Sequence, residues 1–111
     1  MSKTTGLTRL CALADVSEDE PCRVEVDGFA YAVFEVDGEY FVTADECTHG
    51  PGSMSEGFVE DHEVECPFHQ GRFDIRTGQP TRAPCEVALR VWQAILRDDA
   101  VMIDPDEPVA G

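Results

Sequence analysis

Tyr31-Ala-Val-Phe-Glu-Val36, Asp37-Gly38, Glu39-Tyr-Phe-Val-Thr43: two β-branched and aromatic runs meet at an Asp-Gly pair. That pair is a strong hairpin signal, because the two-residue turn that matches strand twist needs positive φ at both central positions. Upstream, Arg23-Val-Glu-Val26 alternates polar and apolar residues and ends on Asp27-Gly28, which predicts a second hairpin sharing the same middle strand. Downstream, the run Val87 to Leu96, then Asp98-Asp99, then Ala100-Val-Met-Ile103 predicts a third. Only Ser17-Glu-Asp-Glu20 has helical character, and Pro21 stops it. The expected fold is all-β, an antiparallel β-sandwich or small barrel. Cys11, Cys22, Cys85, Trp92, Ile95 and Leu96 read as core residues, and the acidic tail after Asp104 reads as loose.

The middle of the chain differs. From Asp45 to Cys85 it is rich in Gly, Pro and polar residues, with strand-like pieces only at Val64-Glu65 and Arg72-Phe73-Asp74. A loop-rich stretch of this length inside a small domain is usually functional. One domain is expected over residues 1–111, with a β base (1–44 and 86–111) carrying an inserted module (45–85).

The chain has 111 residues, which suits a single core. Its 23 Asp and Glu against 8 Lys and Arg give a formal net charge of −15, which argues against nucleic acid or an anionic membrane as partner and favours a basic protein surface. The longest apolar run, Phe29 to Phe34, is far too short to span a membrane. No secretory signal is evident, and the odd count of five cysteines argues for a reducing, cytoplasmic setting rather than a disulfide framework; the lack of a Cys-x-x-Cys argues against a thioredoxin-type redox centre.

Two motifs carry chemistry: Cys47-Thr-His49-Gly50 and Cys66-Pro-Phe-His69-Gln-Gly71. Each offers one thiolate and one imidazole on a turn. Two such turns facing each other make a pocket of two sulfurs and two nitrogens. A tetrahedral zinc accepts that set, but zinc modules usually pair like ligands in each half. Mixed halves suit an asymmetric two-iron cluster, with both thiolates on one iron and both imidazoles on the other.

These stretches, with Met54-Ser-Glu-Gly57, Glu65 to Asp74 and Thr77-Gly78, resemble a Rieske [2Fe–2S] ferredoxin. The likeness is to the ferredoxin component of bacterial aromatic-ring-hydroxylating dioxygenases of naphthalene or carbazole type. It covers roughly residues 45–85, with a weaker match at Val101-Met-Ile-Asp104. The resemblance implies a Rieske fold. It implies that Cys47 and Cys66 hold an inner iron of one [2Fe–2S] cluster, and that His49 and His69 hold an outer iron through Nδ1 near the surface. The imidazole edges would be the electron port. High-potential Rieske proteins carry a disulfide, and a Ser and a Tyr bonded to sulfur. The matching positions here are Gly52, Phe68, Gly71 and Phe73. A potential near the low end of the Rieske range, about −150 mV, is therefore expected.

Val24 to Gly71 holds twelve acids and no Lys or Arg, among them Asp45, Glu46, Glu56, Glu60, Asp61, Glu63 and Glu65. Such a face would steer basic partners. Gly50, Gly52 and Gly71 would let backbone N–H groups approach the sulfides, Pro51 and Pro67 would stiffen the turns, and Met54 would shield the cluster or simply pack. His62 reads as a solvated turn residue. Arg72, Arg76 and Arg82 could pair with local acids or with a partner's carboxylates.

With two of three histidines assigned to the cluster, a second iron site of two His and a carboxylate cannot be built. The expectation is an electron carrier rather than an enzyme. It would be a monomer in transient complexes, taking electrons from an NADH-dependent flavoprotein reductase and delivering them to a terminal oxygenase. The alternatives are a small Rieske-like subunit of a nitrite reductase, a ferredoxin for another oxygenase, and a zinc-binding interaction module.

Overall fold

Two Asp-Gly turns fix the central sheet. Asp27 and Gly28 take φ of 53° and 83°, and Asp37 and Gly38 take 52° and 81°. Glycine enters the left-handed region without steric cost, and Asp tolerates it better than most residues. The turns join β2 (Cys22–Val26), β3 (Phe29–Val36) and β4 (Glu39–Ala44) in antiparallel register, with Val26 opposite Phe29 and Val36 opposite Glu39. The computed structural model describes residues 7–46, 52–67, 70–83 and 87–110.

Three antiparallel sheets follow. β9 (Val91–Trp92) and β12 (Pro108–Ala110) extend the central sheet to the order β12-β9-β4-β3-β2. β1 (Thr8–Ala12), β10 (Ile95–Arg97) and β11 (Ala100–Ile103) form a sheet of order β1-β11-β10. β5 (Phe58–Glu60), β6 (Glu63–Glu65), β7 (Arg72–Asp74) and β8 (Pro80–Arg82) form a meander.

β3 is buried on both faces, which is why its sequence is a continuous apolar run. Tyr31 and Val33 face one way, against Leu10 and Cys11 of β1, Val101 and Ile103 of β11, Val42 and Trp92. Ala32, Phe34 and Val36 face the other way, against Met54, Val64, Cys66, Phe73, Ile75 and Leu89. The central sheet thus divides two cores, and the second core is the floor on which the inserted module sits.

Several expectations change. Ser17 and Glu20 form an isolated antiparallel bridge around a tight turn, not a helical one; short 3-10 turns are at Leu13–Asp15 and Met54–Glu56. The run Val87 to Leu96 is not one strand. It breaks after Trp92, so that β9 joins the central sheet and β10 the three-stranded one. Trp92 is buried as expected, whereas Ile95 is half-buried and Leu96 is exposed at 48%. The tail returns as β12, because its Pro108 pairs with Trp92, whose indole N–H donates to the Pro105 carbonyl at 3.2 Å. β5 and β8, which the sequence pattern does not predict, are edge strands without a buried residue.

Candidate cluster-binding site

The first motif grows from the end of β4. Asp45 donates its N–H to the Ala30 carbonyl (3.0 Å), and its own carbonyl accepts from the Met54 N–H (2.7 Å). Glu46 and Ser53 then form an antiparallel bridge. The Asp45 carboxylate is 4% exposed and reaches across this stem. It accepts from the Ser53 hydroxyl (2.6 Å), the Ser55 N–H (2.9 Å) and the Arg23 Nε–H (3.2 Å). Cys47 and His49 lie between the bridged residues and outside the described ones, as do Gly50 and Pro51.

The second motif starts where β6 ends. The Cys66 N–H donates to the Gly71 carbonyl at 2.7 Å, and the Gln70 N–H donates back to the Cys66 carbonyl at 2.9 Å, with Gln70 at a φ of 62°. Glu65 and Arg72, the flanking residues, are direct cross-strand partners. The Arg72 guanidinium donates from Nε (3.2 Å) and Nη2 (3.0 Å) to Glu65 Oε1, and from Nη1 to Glu60 (3.2 Å); Nη1 also lies 3.5 Å from Glu63. These bonds, Glu65's first and Glu60's next, hold the guanidinium above its usual range. His69 and Phe68 lie outside the described residues.

Both stems rest on one floor. Met54 and Cys66 belong to the same buried cluster as Ala32, Phe34, Phe73 and Leu89. Gly57 brings the stems close: a Cβ there would collide with the Glu65 carbonyl, one residue before Cys66. Leu89 is drawn in by its N–H bond to the Gly78 carbonyl at 2.7 Å. Of the four expected ligands, the structure therefore describes Cys66 alone, a free cysteine with 1% exposure among apolar side chains. Among the described residues no three His, Cys, Asp or Glu side chains gather into a metal site. Cys66 offers a sulfur donor at the bonded turn of the second stem, on an apolar floor that keeps water away, and that chemistry fits an iron–sulfur group.

Other expectations sort themselves by contact. His62 is not simply solvated: it is half-buried, its ring edge-on to Phe41 at 5.6 Å, and its carbonyl accepts from Ile75 at 2.9 Å. Cys11 is core; burial and the neighbouring Cys22 push its thiol up to about 12, so it stays protonated. Cys22 packs partly buried against the same cluster, and Cys85 lies outside the described residues. Arg72 and Arg76 take local acids, the latter Asp74, while Arg82 is exposed. The acidic face shrinks accordingly. Of the seven acids named above, Asp45 is buried and Glu60, Glu63 and Glu65 are engaged by Arg72, which leaves Glu46, Glu56 and Asp61 exposed and outside the Arg72 cluster. Sequence reasoning missed the Asp45 clamp. Its signal was a carboxylate two residues before Cys47 followed by Ser53 and Ser55.

The Rieske [2Fe–2S] domain family matches residues 6–93 of the chain. The ferredoxin component of the p-cumate 2,3-dioxygenase system of Pseudomonas putida is 46% identical over 102 residues, covering 90% of this chain and 86% of that protein. Among solved structures, a ferredoxin of Sphingomonas yanoikuyae B1 aligns with a TM-score of 0.84 at 41% identity, over 87% of this chain and 96% of that one. A complex of reduced oxygenase and oxidized ferredoxin in carbazole 1,9a-dioxygenase contains a chain aligning with a TM-score of 0.82 at 35% identity, over 88% of this chain and 92% of that one.

Proposed function

Since this chain belongs to the Rieske [2Fe–2S] domain family, we propose that it is the ferredoxin of an aromatic-ring-hydroxylating dioxygenase system, an electron carrier and not a catalyst. When bound, the cluster supplies one-electron transfer at low potential. Cys47 and Cys66 would hold one iron, His49 and His69 the other. The observation that carries the assignment is the shared floor: Met54, just after the first stem, and Cys66, at the start of the second, lie in one buried cluster. The two stems that flank the motifs thus stand on one floor, which supports a shared site.

The protein's part is to hold the ligands, exclude water and present a docking face. The polar stems do the first, and the apolar floor with its fully buried Phe34, Phe73 and Met54 does the second. For the third, Phe58 is 59% exposed on β5 directly opposite Glu65, so an aromatic side chain is offered beside the second stem. The partners would be a flavoprotein reductase and a terminal oxygenase, met in turn through weak interfaces. No helix among the described residues is long and apolar enough to cross a membrane. The carrier so proposed is cytoplasmic and monomeric, formed by one domain over residues 1–111, with its base at 1–44 and 86–111 and its cluster module at 45–85.

Iron and acid-labile sulfide analysis with EPR of the dithionite-reduced protein tests the assignment. The expected result is two irons, two sulfides and an anisotropic Rieske signal, lost or drastically altered in His49→Ala and His69→Ala but kept in His62→Ala. A colourless protein containing zinc and no sulfide would overturn it. A measured potential well above zero would contradict the low-potential reading.

A further inference from the structure

The second ligand stem carries an unusual concentration of charge. Glu60 and Glu63 are direct cross-strand partners, and like charges placed so repel. Glu65 stands one residue before Cys66. Three carboxylates on two short strands beside the expected ligand would make a strongly negative setting. Arg72 answers all three from one guanidinium whose side chain is only 20% exposed, at 3.0 Å from Glu65, 3.2 Å from Glu60 and 3.5 Å from Glu63. Its chain position is equally direct, since it follows Gly71, whose carbonyl accepts the Cys66 N–H at 2.7 Å.

Reduction of a Rieske centre adds one negative charge to this locality. A fixed cation nearby favours that state, and uncompensated carboxylates oppose it. The Arg72 and Glu65 side chains are 20% and 22% exposed, and a partly buried pair is screened less readily than a surface one. We propose that Arg72 is a potential-setting and positioning residue, which keeps the cluster reducible by offsetting one of the three negative charges that Glu60, Glu63 and Glu65 place around the Cys66 stem. The inference rests on the ligand assignment above.

The test is a redox titration, followed by the EPR signal, of the wild-type holoprotein and of Arg72→Gln, Arg72→Lys and Glu65→Gln at low and high salt. Arg72→Gln is expected to shift the one-electron reduction equilibrium several-fold towards the oxidised form, with line shape unchanged. Arg72→Lys, which keeps the charge, should recover most of that shift. Glu65→Gln should move the equilibrium the opposite way, and it carries the test if Arg72→Gln fails to retain cluster. All shifts should shrink at high salt. Equal shifts in Arg72→Gln and Arg72→Lys, or Glu65→Gln moving in the same direction as Arg72→Gln, would overturn the proposal. A wild-type protein without iron and sulfide would instead defeat the ligand assignment.

Discussion

The hydroxyl of Ser53 donates to the buried carboxylate of Asp45 across 2.6 Å, tying the far stem of the first ligand loop to the near one. The same carboxylate accepts the Ser55 N–H at 2.9 Å and pairs with the half-exposed Arg23. Asp45→Ala strands these donors. Each unsatisfied buried donor costs about 1–3 kcal/mol, while Arg23 recovers part of its loss in water. The expected destabilisation is about 2–4 kcal/mol in urea unfolding, with faster loss of cluster absorbance on warming. Asp45→Asn should fall between. An unfolding midpoint unchanged in Asp45→Ala would refute the clamp.

Gly57 is required for space, not for conformation. Its φ is −80°, open to any residue, yet a Cβ would overlap the Glu65 carbonyl and press on a Val64 methyl at 3.1 Å. Gly57→Ala must therefore part the two stems, at a cost of about 1–3 kcal/mol. Gly28 is the opposite case: its φ is 83°, and a Cβ there would meet nothing within 4 Å. Gly28→Ala therefore costs only backbone strain, about 1–2 kcal/mol. Only the first substitution should also broaden the reduced EPR signal. If both leave it alike, the close approach is not what Gly57 provides.

The contrast between these glycines marks how far the sequence could be read. The hairpins at Asp27-Gly28, Asp37-Gly38 and Asp98-Asp99 were legible because turn chemistry is local. The apolar run of β3 was legible because both of its faces are buried. The break after Trp92 was not: it is set by which sheet each half joins, a tertiary choice that leaves the stretch Val91 to Leu96 looking continuous. β5 and β8 were hidden because neither carries a buried residue, whereas the equally short β6 and β7 centre on buried Val64 and Phe73. Spacing singled out Cys66 as an expected ligand; the structure places it buried at a stem, and Cys47, His49 and His69 lie outside the described residues. The roles of Asp45 and Arg72 were hidden because their partners come from other strands: Arg23 from β2 and Glu60 from β5.

Asp74 gives the module a pH signature. Hydrogen bonds from the Arg76 guanidinium, at 3.0 and 2.9 Å, hold its carboxyl below the usual value of 3.8. On acidification the unfolded state therefore binds the proton first. The stabilisation is complete above that ordinary value and fades as pH falls through the lower folded one. Arg76 is half-exposed, so solvent screening keeps the contribution of the pair small. Urea midpoints of wild type and Asp74→Asn should show a small gap at neutral pH, wild type the higher, and converge in acid. A gap that widens on acidification would refute the assignment.

Electrostatic steering now rests on fewer carboxylates than the net charge suggests. Glu46, beside the first stem, and Glu56 are exposed, whereas Glu60 is held by Arg72. Oxygenase reduction by the holoprotein should slow steeply between about 0.01 M and about 1 M salt, as the screening length falls from ~30 Å to ~3 Å. Glu46→Gln and Glu56→Gln should each lower the low-salt association rate and flatten the salt dependence, with little effect at high salt. Phe58→Ala should act in the opposite pattern, slowing transfer at every ionic strength, because an apolar contact is lost whatever the screening. Stopped-flow mixing of reduced ferredoxin with oxidised oxygenase separates the two. A rate indifferent to salt in the wild type would remove the acidic residues from docking and leave Phe58 as the anchor to test.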